Sequence, residues 1–339
     1  MKRRSYWAIF KANKRALVSF WIFIIIFVIS TFANFIANER PIFVYKDNQA
    51  FFPIFVKYPE TAFGGVLKTQ PNYRGEFMQE KLKDSFVIWP PVPYSYDTIT
   101  LNLDSPPPTG LSSKHLLGTD DRARDVLARL IYGFQISIYF GLILTFFSII
   151  LSVILGALQG FYGGKVDLFG QRLTEIWSGV PTLFLLIVLS SFVIPSFWWI
   201  LLIVLLFNWM GLSNLVRAEF LKARNYDYVK IAKTLGASHV KIMFAHILPN
   251  AMVATITYMP FIMIASIGTL ISLDFLNFGM PPGSPSLGDL IQQGKDNLNS
   301  PNLAITGFFA VAVLLGCFVF IGEGIRDCFD VSKKGRAVK

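Results

Sequence analysis

The nearest counterpart of a phosphate-binding loop in this sequence is the string Gly160-Phe161-Tyr162-Gly163-Gly164-Lys165-Val166. Such a loop cradles phosphates with backbone N–H groups, and its lysine is followed by a Ser or Thr whose hydroxyl holds magnesium. Here the first glycine of the pattern is missing, and Val166 follows the lysine. The string therefore does not predict a nucleotide site in this chain.

Metal and nucleophile chemistry also lack residues at the spacing they need. The histidines His115, His239 and His246 are scattered, without an HExxH pair or Cys/His ligand spacing. Cys317 and Cys328 would lie about 16 Å apart along one helix, too far for a disulfide. No GxSxG elbow or kinase signature is present. The chain is therefore predicted to be no enzyme and to hold no metal and no cofactor.

The composition predicts an integral membrane protein. Hydrophobic residues make up 53% of the 339 positions and charged residues 15%, so there is more apolar surface than one soluble core could hide. The net charge of +10 raises nucleic acid as a partner, but in a membrane protein basic residues first report topology. We expect a lipid bilayer around the chain and no nucleic-acid partner.

Uncharged apolar runs predict an all-α fold of about six transmembrane helices. The first run, Leu17 to Ala37, is about 31 Å long as a helix, which is enough to cross a bilayer. It exceeds the roughly 7 to 15 apolar residues of a signal peptide, so we expect a retained anchor. The other predicted spans are Gly133 to Tyr162, Trp177 to Ile194, Trp198 to Leu215, Ala251 to Leu273 and Leu303 to Gly322.

The distribution of charge predicts that both termini are cytoplasmic. With the N-terminus inside, the short cytoplasmic pieces hold 19 Lys plus Arg against 6 Asp plus Glu, and the external pieces hold 12 against 14. Basic residues near span ends favour the cytoplasmic side, while a long loop is translocated largely regardless of its charge. The cytoplasmic pieces in this topology are residues 1–16, 163–176, 216–250 and 324–339.

The first external loop is the largest segment outside the predicted spans. Aromatic residues and prolines are spread through it, which favours a small external subdomain, and the run Ser105-Pro106-Pro107-Pro108 predicts a stiff extended connector. The expected domains are residues 1–37 (basic N-terminus and first helix), 38–115 (external insert), 116–330 (five-helix core with cytoplasmic loop 216–250) and 331–339 (cytoplasmic tail).

The six predicted spans contain no Asp, Glu, Lys, Arg or His. Proton and ion relays in transporters usually place such residues within the membrane, so energy for transport is expected to come from outside this chain. Polar uncharged residues such as Ser148, Ser152 and Ser266 occur instead. They could line a path for a polar solute or form ordinary hydrogen bonds between helices.

The loop at residues 216–250 predicts two short helices. Asp227 is a favourable N-cap for an eight-residue helix that follows it, and Gly236 supplies a left-handed C-terminal cap. Ser238 is expected to cap a second helix over 239–248, and Pro249 to mark the beginning of the fifth span. Local physics allows a rigid element that transmits force from a partner, or an ordinary surface hairpin.

This loop resembles the cytoplasmic motif of ABC importer permeases, an acidic-Ala-Ala, Gly, Leu-Pro pattern. The resemblance covers about residues 116 to 330 and the basic first helix. The segments that carry it are Tyr228 to Gly236, Ile242 and Ile247-Leu248-Pro249-Asn250 for the motif, and Leu117-Gly118-Thr119-Asp120, Arg124-Asp125-Val126-Leu127, Arg129 to Gly133, Gly322-Glu323, Arg326-Asp327 and Asp330 for the oligopeptide, dipeptide and nickel branch.

Further similarity narrows the branch to permeases associated with uptake of oligopeptides and of microcin C. It rests on the long insert, on the string 160–167 and on Ser272 to Leu276 before Gly283 to Gly288. Two departures stand out: the acidic-Ala-Ala triplet is Lys230-Ile231-Ala232 here, and Ala123 replaces a glycine. The lysine puts in doubt any contact that needs a negative charge at that position.

The resemblance implies a transport subunit of the bacterial inner membrane that imports peptides. It implies a heterodimer with a second, homologous permease, two ATPase domains that bind ATP and magnesium, and an external substrate-binding protein. It gives no substrate-binding residues. An ATP-independent channel or carrier and a membrane scaffold remain the alternatives. The residues implied in coupling to the ATPase are Tyr228, Val229, Ala232, Leu235, Gly236 and Ala237.

Overall fold

Helices form most of the chain in the computed structural model, which describes residues 6–103, 105–190, 192–193 and 195–329. The predicted class, an all-α integral membrane protein, is confirmed. The predicted features outside the described residues are residues 1–5 of the basic N-terminus, Ser191 and Ile194 of the third predicted span, Asp330 and the tail 331–339.

The described α-helices are, in chain order, α1 (Tyr6–Ala12), α2 (Lys14–Thr31), α3 (Ala33–Ile36), α4 (Glu76–Lys81), α5 (Val126–Tyr162), α6 (Gly164–Ser178), α7 (Thr182–Ser190), α8 (Phe197–Asn208), α9 (Met210–Ala223), α10 (Asp227–Thr234), α11 (His239–Lys241), α12 (Leu248–Phe275), α13 (Leu287–Asp296) and α14 (Pro301–Phe329). A 3₁₀ helix covers Glu60–Phe63, and a π-helical segment covers Ile242–Ile247.

Within the described residues, five helices are long and apolar enough to cross a membrane, and a sixth span is present if one bent helix pair is counted. This agrees with the prediction of about six. The five are Lys14–Thr31, Val126–Tyr162, Phe197–Ala223, His239–Phe275 and Pro301–Phe329, and the bent pair is Gly164–Ser178 with Thr182–Leu189.

The third predicted span is wrong in its form. Instead of one helix from Trp177, the structure has α6 and α7, which meet at an angle of 64°. Pro181 lies in the break, where its ring lacks an N–H donor and disfavours helical backbone at Val180. Helix α6, Gly164–Ser178, covers most of residues 163–176, the segment predicted to be a cytoplasmic piece between spans.

One compact unit comprises the described residues of 1–24, 137–281 and 311–329. In this unit α5 and α9 approach closely through the pair Gly156 and Gly160, a GxxxG spacing. A Cβ atom on Gly156 would lie 2.5 Å from the carbonyl oxygen of Ser213, and one on Gly160 would lie 2.5 Å from that of Arg217. Small residues at such a crossing allow the helix backbones to pack directly in a membrane.

Hydrogen bonds between side chains join three helices of the same unit. The amide Nδ2 of Asn208 in α8 donates to Ser148 Oγ of α5 at 3.2 Å and to Ser266 Oγ of α12 at 3.1 Å. Ser152 Oγ donates to the Trp209 carbonyl oxygen at 2.7 Å, where α8 ends and α9 begins. In this conformation these polar groups therefore act as interhelical hydrogen-bond partners.

The second compact unit comprises residues 25–136, apart from Asp104, and 282–310. Its only described sheet has three antiparallel strands in the order β2-β1-β3. Asp47 and Asn48 form the tight turn after β1 with positive φ angles, as a two-residue hairpin requires. The strands are β1 (Phe43–Lys46), β2 (Gln49–Phe51) and β3 (Phe86–Ile88), and the buried side chains beneath them are Val44, Phe63, Tyr73, Met78 and Leu82.

Substitution of Gly156 by alanine should destabilise the chain because the new Cβ atom would collide with backbone of α9. We expect a loss of about 1–3 kcal/mol, as for other overpacked sites. The thermal unfolding midpoint of the purified protein measures this. Gly316→Ala is the matched control, since a Cβ atom on this helical glycine has no atom within 4 Å. Equal midpoints for both variants would contradict the close crossing.

Candidate functional site

Helix α10 and the turn after it hold all six residues implied in coupling. The helix has the predicted eight residues but begins at Asp227, so the predicted N-cap role of Asp227 is wrong. The N-cap is Tyr226, whose backbone is extended and whose side chain makes no cap bond. The Asp227 carboxylate lies instead in the first turn, where its negative charge interacts favourably with the helix dipole. One of its oxygens lies 3.3 Å from Lys230 Nζ.

The C-terminal end of α10 forms as predicted. Gly236 has φ +77°, and its N–H donates to the carbonyl oxygen of Lys233 at 3.0 Å. The N–H of Ala237 donates to the carbonyl oxygen of Ala232 at 3.0 Å. This pair of bonds is a Schellman motif, which a residue with a Cβ atom closes only under strain. Gly236 therefore fixes the direction in which the chain leaves the helix.

One face of α10 is packed into the core of its unit. Val229 is fully buried and Ala232 is 9% exposed, while Ala237 packs partly against the same cluster. Burial of such side chains anchors the helix by about 25 cal/mol for each Å² of apolar surface removed from water. The cluster around them includes Phe161 of α5, Val216 and Phe220 of α9, and Ile242, Ile247 and Ala251.

On the opposite face of α10, large apolar side chains are exposed. Leu235 is 81% exposed, Ile231 is 59% exposed and Tyr228 is 39% exposed. The Tyr228 hydroxyl also accepts a 3.4 Å hydrogen bond from Asn250 Nδ2 at the start of α12. Ile231 was not among the residues implied in coupling; the helical spacing of four from Leu235 is the signal that could have found it. We call Tyr228, Ile231 and Leu235 the open face.

The segment after Gly236 departs from the prediction. Ser238 caps the next helix as expected, with Oγ accepting from the Lys241 N–H at 3.4 Å. The helix then continues through a π-helical segment into α12 without a break at Pro249. Pro249 brings no N–H donor to this helix, and the π-helical segment directly before it is the kind of local adjustment that accommodates a proline within a helix. A continuous helical rod thus joins this turn to a predicted span.

The string 160–167, whose sequence does not match a phosphate-binding loop, contacts α9, α10 and the residue after α9. Arg217 of α9 forms a bidentate ion pair with the Asp167 carboxylate, with Nη2 2.7 Å from Oδ2. Gly163 has φ +63°, a backbone conformation that residues with a side chain rarely adopt, and lies against the Arg224 guanidinium. Lys233 Nζ of α10 lies 5.4 Å from the Phe161 ring centroid. The string therefore helps to position α9 and α10.

A buried ionic cluster occupies the second compact unit and uses the other motif of the sequence. Asp120 and Arg129 are fully buried, and Arg124 is 4% exposed. Asp120 Oδ2 lies 2.6 Å from Arg124 Nη2 and 3.3 Å from Arg129 Nε, and Arg129 Nη2 lies 2.7 Å from Asp289 Oδ2. Arg129 Nη2 also donates to the Ser284 carbonyl oxygen at 2.9 Å. The two positive and two negative charges balance one another.

The same motif caps α5. Asp125 Oδ1 accepts the Ala128 N–H at 2.8 Å, and its Oδ2 lies 2.9 Å from Nδ1 of the buried His115, whose ring stacks on Tyr94. Beside the cluster, burial and then the neighbouring carboxylate of Asp120 raise the pKa of Asp121. The motif therefore fixes the start of α5.

No group of three or more His, Cys, Asp or Glu side chains in the described part of the chain could hold a metal ion. Both cysteines lie on α14, where they are buried. The site is a short helix with one anchored face and one open face, joined by the turn at residues 235–238 to the helix His239–Phe275.

Membrane helices with a short, capped helix ahead of a late span form the architecture of ABC importer permeases. The chain belongs to the family described as the binding-protein-dependent transport system inner membrane component, which matches residues 148–334. Residues 3–59 match the N-terminal TM domain of oligopeptide transport permease C. The predicted family is thus confirmed.

Relatives support this assignment over nearly the whole chain. The chain is 50% identical to the inner membrane ABC transporter permease protein YejE of Escherichia coli strain K12, over 96% of each chain. It is 47% identical to the peptidoglycan transport system permease protein YejE of Agrobacterium fabrum, over 99% of this chain and 94% of that one. The oligopeptide transport system permease protein OppC of Bacillus subtilis is 32% identical over 70% of this chain and 77% of its own length.

A solved structure shows the same fold at low identity. A chain of the MetNI methionine ABC transporter, in an inward-facing conformation, aligns with a TM-score of 0.51 and 14% identity. The alignment covers 60% of this chain and 97% of that one. This likeness defines the permease fold and carries no information about substrate.

Removal of the Arg129 charge should strongly destabilise the chain, since Asp289 would lose its ion-pair partner and the buried Asp120 would keep only Arg124. We expect Arg129→Gln to cost about 3–5 kcal/mol, as for other broken buried pairs. Unfolding in detergent, followed by temperature or denaturant, measures the loss. Arg172→Gln breaks the exposed pair with Glu175 and should cost less than about 1 kcal/mol. A larger loss for Arg172→Gln would contradict the role given to the cluster.

Proposed function

We propose that this chain is the permease subunit of a peptide importer and that α10 couples it to a separate ATPase. The observation that carries the proposal is the two-faced packing of α10: Val229 and Ala232 are anchored, while Ile231 and Leu235 are open. Exposed apolar side chains clustered on a short helix are typical of a docking surface. The family supplies the partner, because its members act with an ATPase.

Docking would bury the open face in an apolar groove of the ATPase. Leu235 at the helix end and Ile231 one turn before it would supply most of the apolar contact. Lys230 replaces an acidic residue of the family pattern, and its ammonium group lies 3.3 Å from the carboxylate of Asp227 in the same helix. Screening by solvent makes this exposed pair weak, so we assign it no large part in affinity.

Movement of α10 would pass into the membrane helices through its buried face. Val229 and Ala232 belong to one buried cluster with side chains of α5, α9 and α12, and a close-packed interior transmits displacement because its compressibility is low. The continuous helix from His239 to Phe275 adds a covalent route into the span. The proposed mechanism is alternating access, in which ATP binding to the partner moves α10 and the spans open outward.

The proposed substrates are oligopeptides or peptide-like compounds such as microcin C. Support comes from the relatives, whose names specify oligopeptide, dipeptide and peptidoglycan transport. In the proposed assembly an external binding protein delivers the peptide, a second homologous permease completes the pathway, and two ATPase domains hold ATP and magnesium. Both termini would be cytoplasmic and the insert 38–115 external, with 116–330 as the permease core.

The first test is uptake of a labelled peptide into proteoliposomes that hold this chain, its partner permease and its ATPase, with binding protein outside. Gly236→Pro removes the N–H that bonds to Lys233 and forbids the left-handed backbone. We expect ATP-dependent uptake to fall at least about tenfold while the complex still assembles, and the milder Gly236→Ala to be intermediate.

Gly64→Ala is the control for strain alone, because Gly64 also has a positive φ and its Cβ position is nearly open. It should leave uptake unchanged. Undiminished uptake with Gly236→Pro in an assembled complex would contradict coupling through α10. Intact ATP hydrolysis without uptake of any peptide in the wild type would preserve the coupling role and overturn the substrate class.

A second test addresses the open face directly. Leu235→Asp places a charge where docking would bury it, so we expect at least about tenfold weaker association with the ATPase. Leu298→Asp is the matched control, since Leu298 is 80% exposed against 81% for Leu235. Co-purification of the ATPase with each variant gives the readout. Equal loss with both variants would show a general surface effect and would contradict the proposed docking face.

A further inference from the structure

Helix α1 is separated from the first membrane helix, α2, by a single residue. Asn13 lies between α1 and α2, and its Oδ1 accepts the Ala16 N–H at 3.2 Å, which caps the start of α2. Its Nδ2 donates to Asp327 Oδ2 of α14 at 3.1 Å. One side chain therefore ends α1, begins α2 and fastens both to the end of α14.

Close packing holds α1 against the last turns of α14. Phe10 and Ala16 are buried with Cys328, and a Cβ atom on Gly324 would lie 2.8 Å from the Phe10 ring. The rings of Tyr6 and Phe329 are 5.2 Å apart. The seven-residue helix is thus a fixed part of this unit, although it makes no membrane span.

An apolar groove remains open beside this contact. It has a volume of about 330 Å³ and is lined almost entirely by apolar atoms. Trp7 and Tyr6 at its edge are 46% and 56% exposed. Tryptophan and tyrosine prefer the level where acyl chains meet headgroups, which is the level expected at the start of a membrane helix. Phe20, Ile256 and Ile325 also line the groove.

A polar cavity of about 640 Å³ lies at the end of the same helices and is rimmed by basic side chains. Lys14, Arg15 and Arg326 line it together with Glu323 and Asp327. Asp327 is already engaged by Asn13. Lys11 adds a further charge with Nζ 5.2 Å from the Trp7 ring centroid. The first 16 residues of the sequence contain six Lys or Arg and no Asp or Glu.

We propose that this corner of the protein binds an anionic phospholipid. An acyl chain would lie in the apolar groove against Trp7 and Phe20, and the phosphate would lie near Lys14 and Arg15. Basic residues beside a membrane helix attract anionic headgroups, and an amphipathic aromatic helix buries its apolar side at the headgroup boundary. The net positive rim distinguishes an anionic lipid from a zwitterionic one.

Fluorescence of Trp7 tests the proposal on the full-length chain without measuring transport. The chain is reconstituted into phosphatidylcholine vesicles that contain a minor fraction of either brominated phosphatidylglycerol or brominated phosphatidylcholine. The signal of Trp7 is obtained as the difference between wild type and Trp7→Phe. We expect quenching by the anionic lipid to be about fivefold stronger at equal mole fraction, the factor that one basic residue supplies.

Lys14→Gln with Arg15→Gln should abolish this preference, and Lys14→Arg should keep it. Lys222→Gln is the control, because Lys222 is an exposed lysine at the end of α9, outside the corner. Equal quenching of Trp7 by both lipids in the wild type would overturn the choice of an anionic lipid. Absence of quenching by either lipid would overturn contact with lipid altogether.

Discussion

Burial of Val229 and Ala232 on one side of α10 is the contact on which the coupling account depends. An isolated eight-residue helix is unstable in water, because nucleation is costly and few hydrogen bonds offset it. The packed face and the Schellman turn at Gly236 supply the missing stability. Once that face is fixed, the helical period forces Ile231 and Leu235 outward. One packing arrangement therefore both anchors α10 and exposes Ile231 and Leu235.

Each compact unit depends on close packing or buried polar contacts whose loss would cost much free energy in low-dielectric surroundings. In one unit, glycines let α5 and α9 touch, and hydrogen bonds from Asn208 join α8 to α5 and α12. In the other, four charged side chains neutralise one another around Arg129. An unpaired charge or a displaced backbone would be costly in each case. These features hold the helices that carry α10 and the start of α5.

Sequence reasoning succeeded where a residue type has one physical use. Gly236 predicted the helix end because only glycine adopts that turn freely, and long uncharged runs predicted the spans. Sequence reasoning failed where more than one local preference determines where an element begins or breaks. Asp227 is a good N-cap in isolation, but the helix begins one residue earlier with Tyr226 at that position. Pro181 broke the third span because backbone geometry outweighs hydropathy. Ile231 was missed although its helical spacing of four from Leu235 places both side chains on the same exposed face.

Site-specific photo-crosslinking from position 235, in membranes that contain the whole transporter, would test the central claim most directly. A crosslinking amino acid at that position reports which protein lies against the open face of α10. The account predicts a crosslink to the ATPase subunit whose yield changes when ATP is added, and none from the equally exposed position 298. A crosslink from 235 to lipid alone, or equal ATPase crosslinks from both positions, would contradict it.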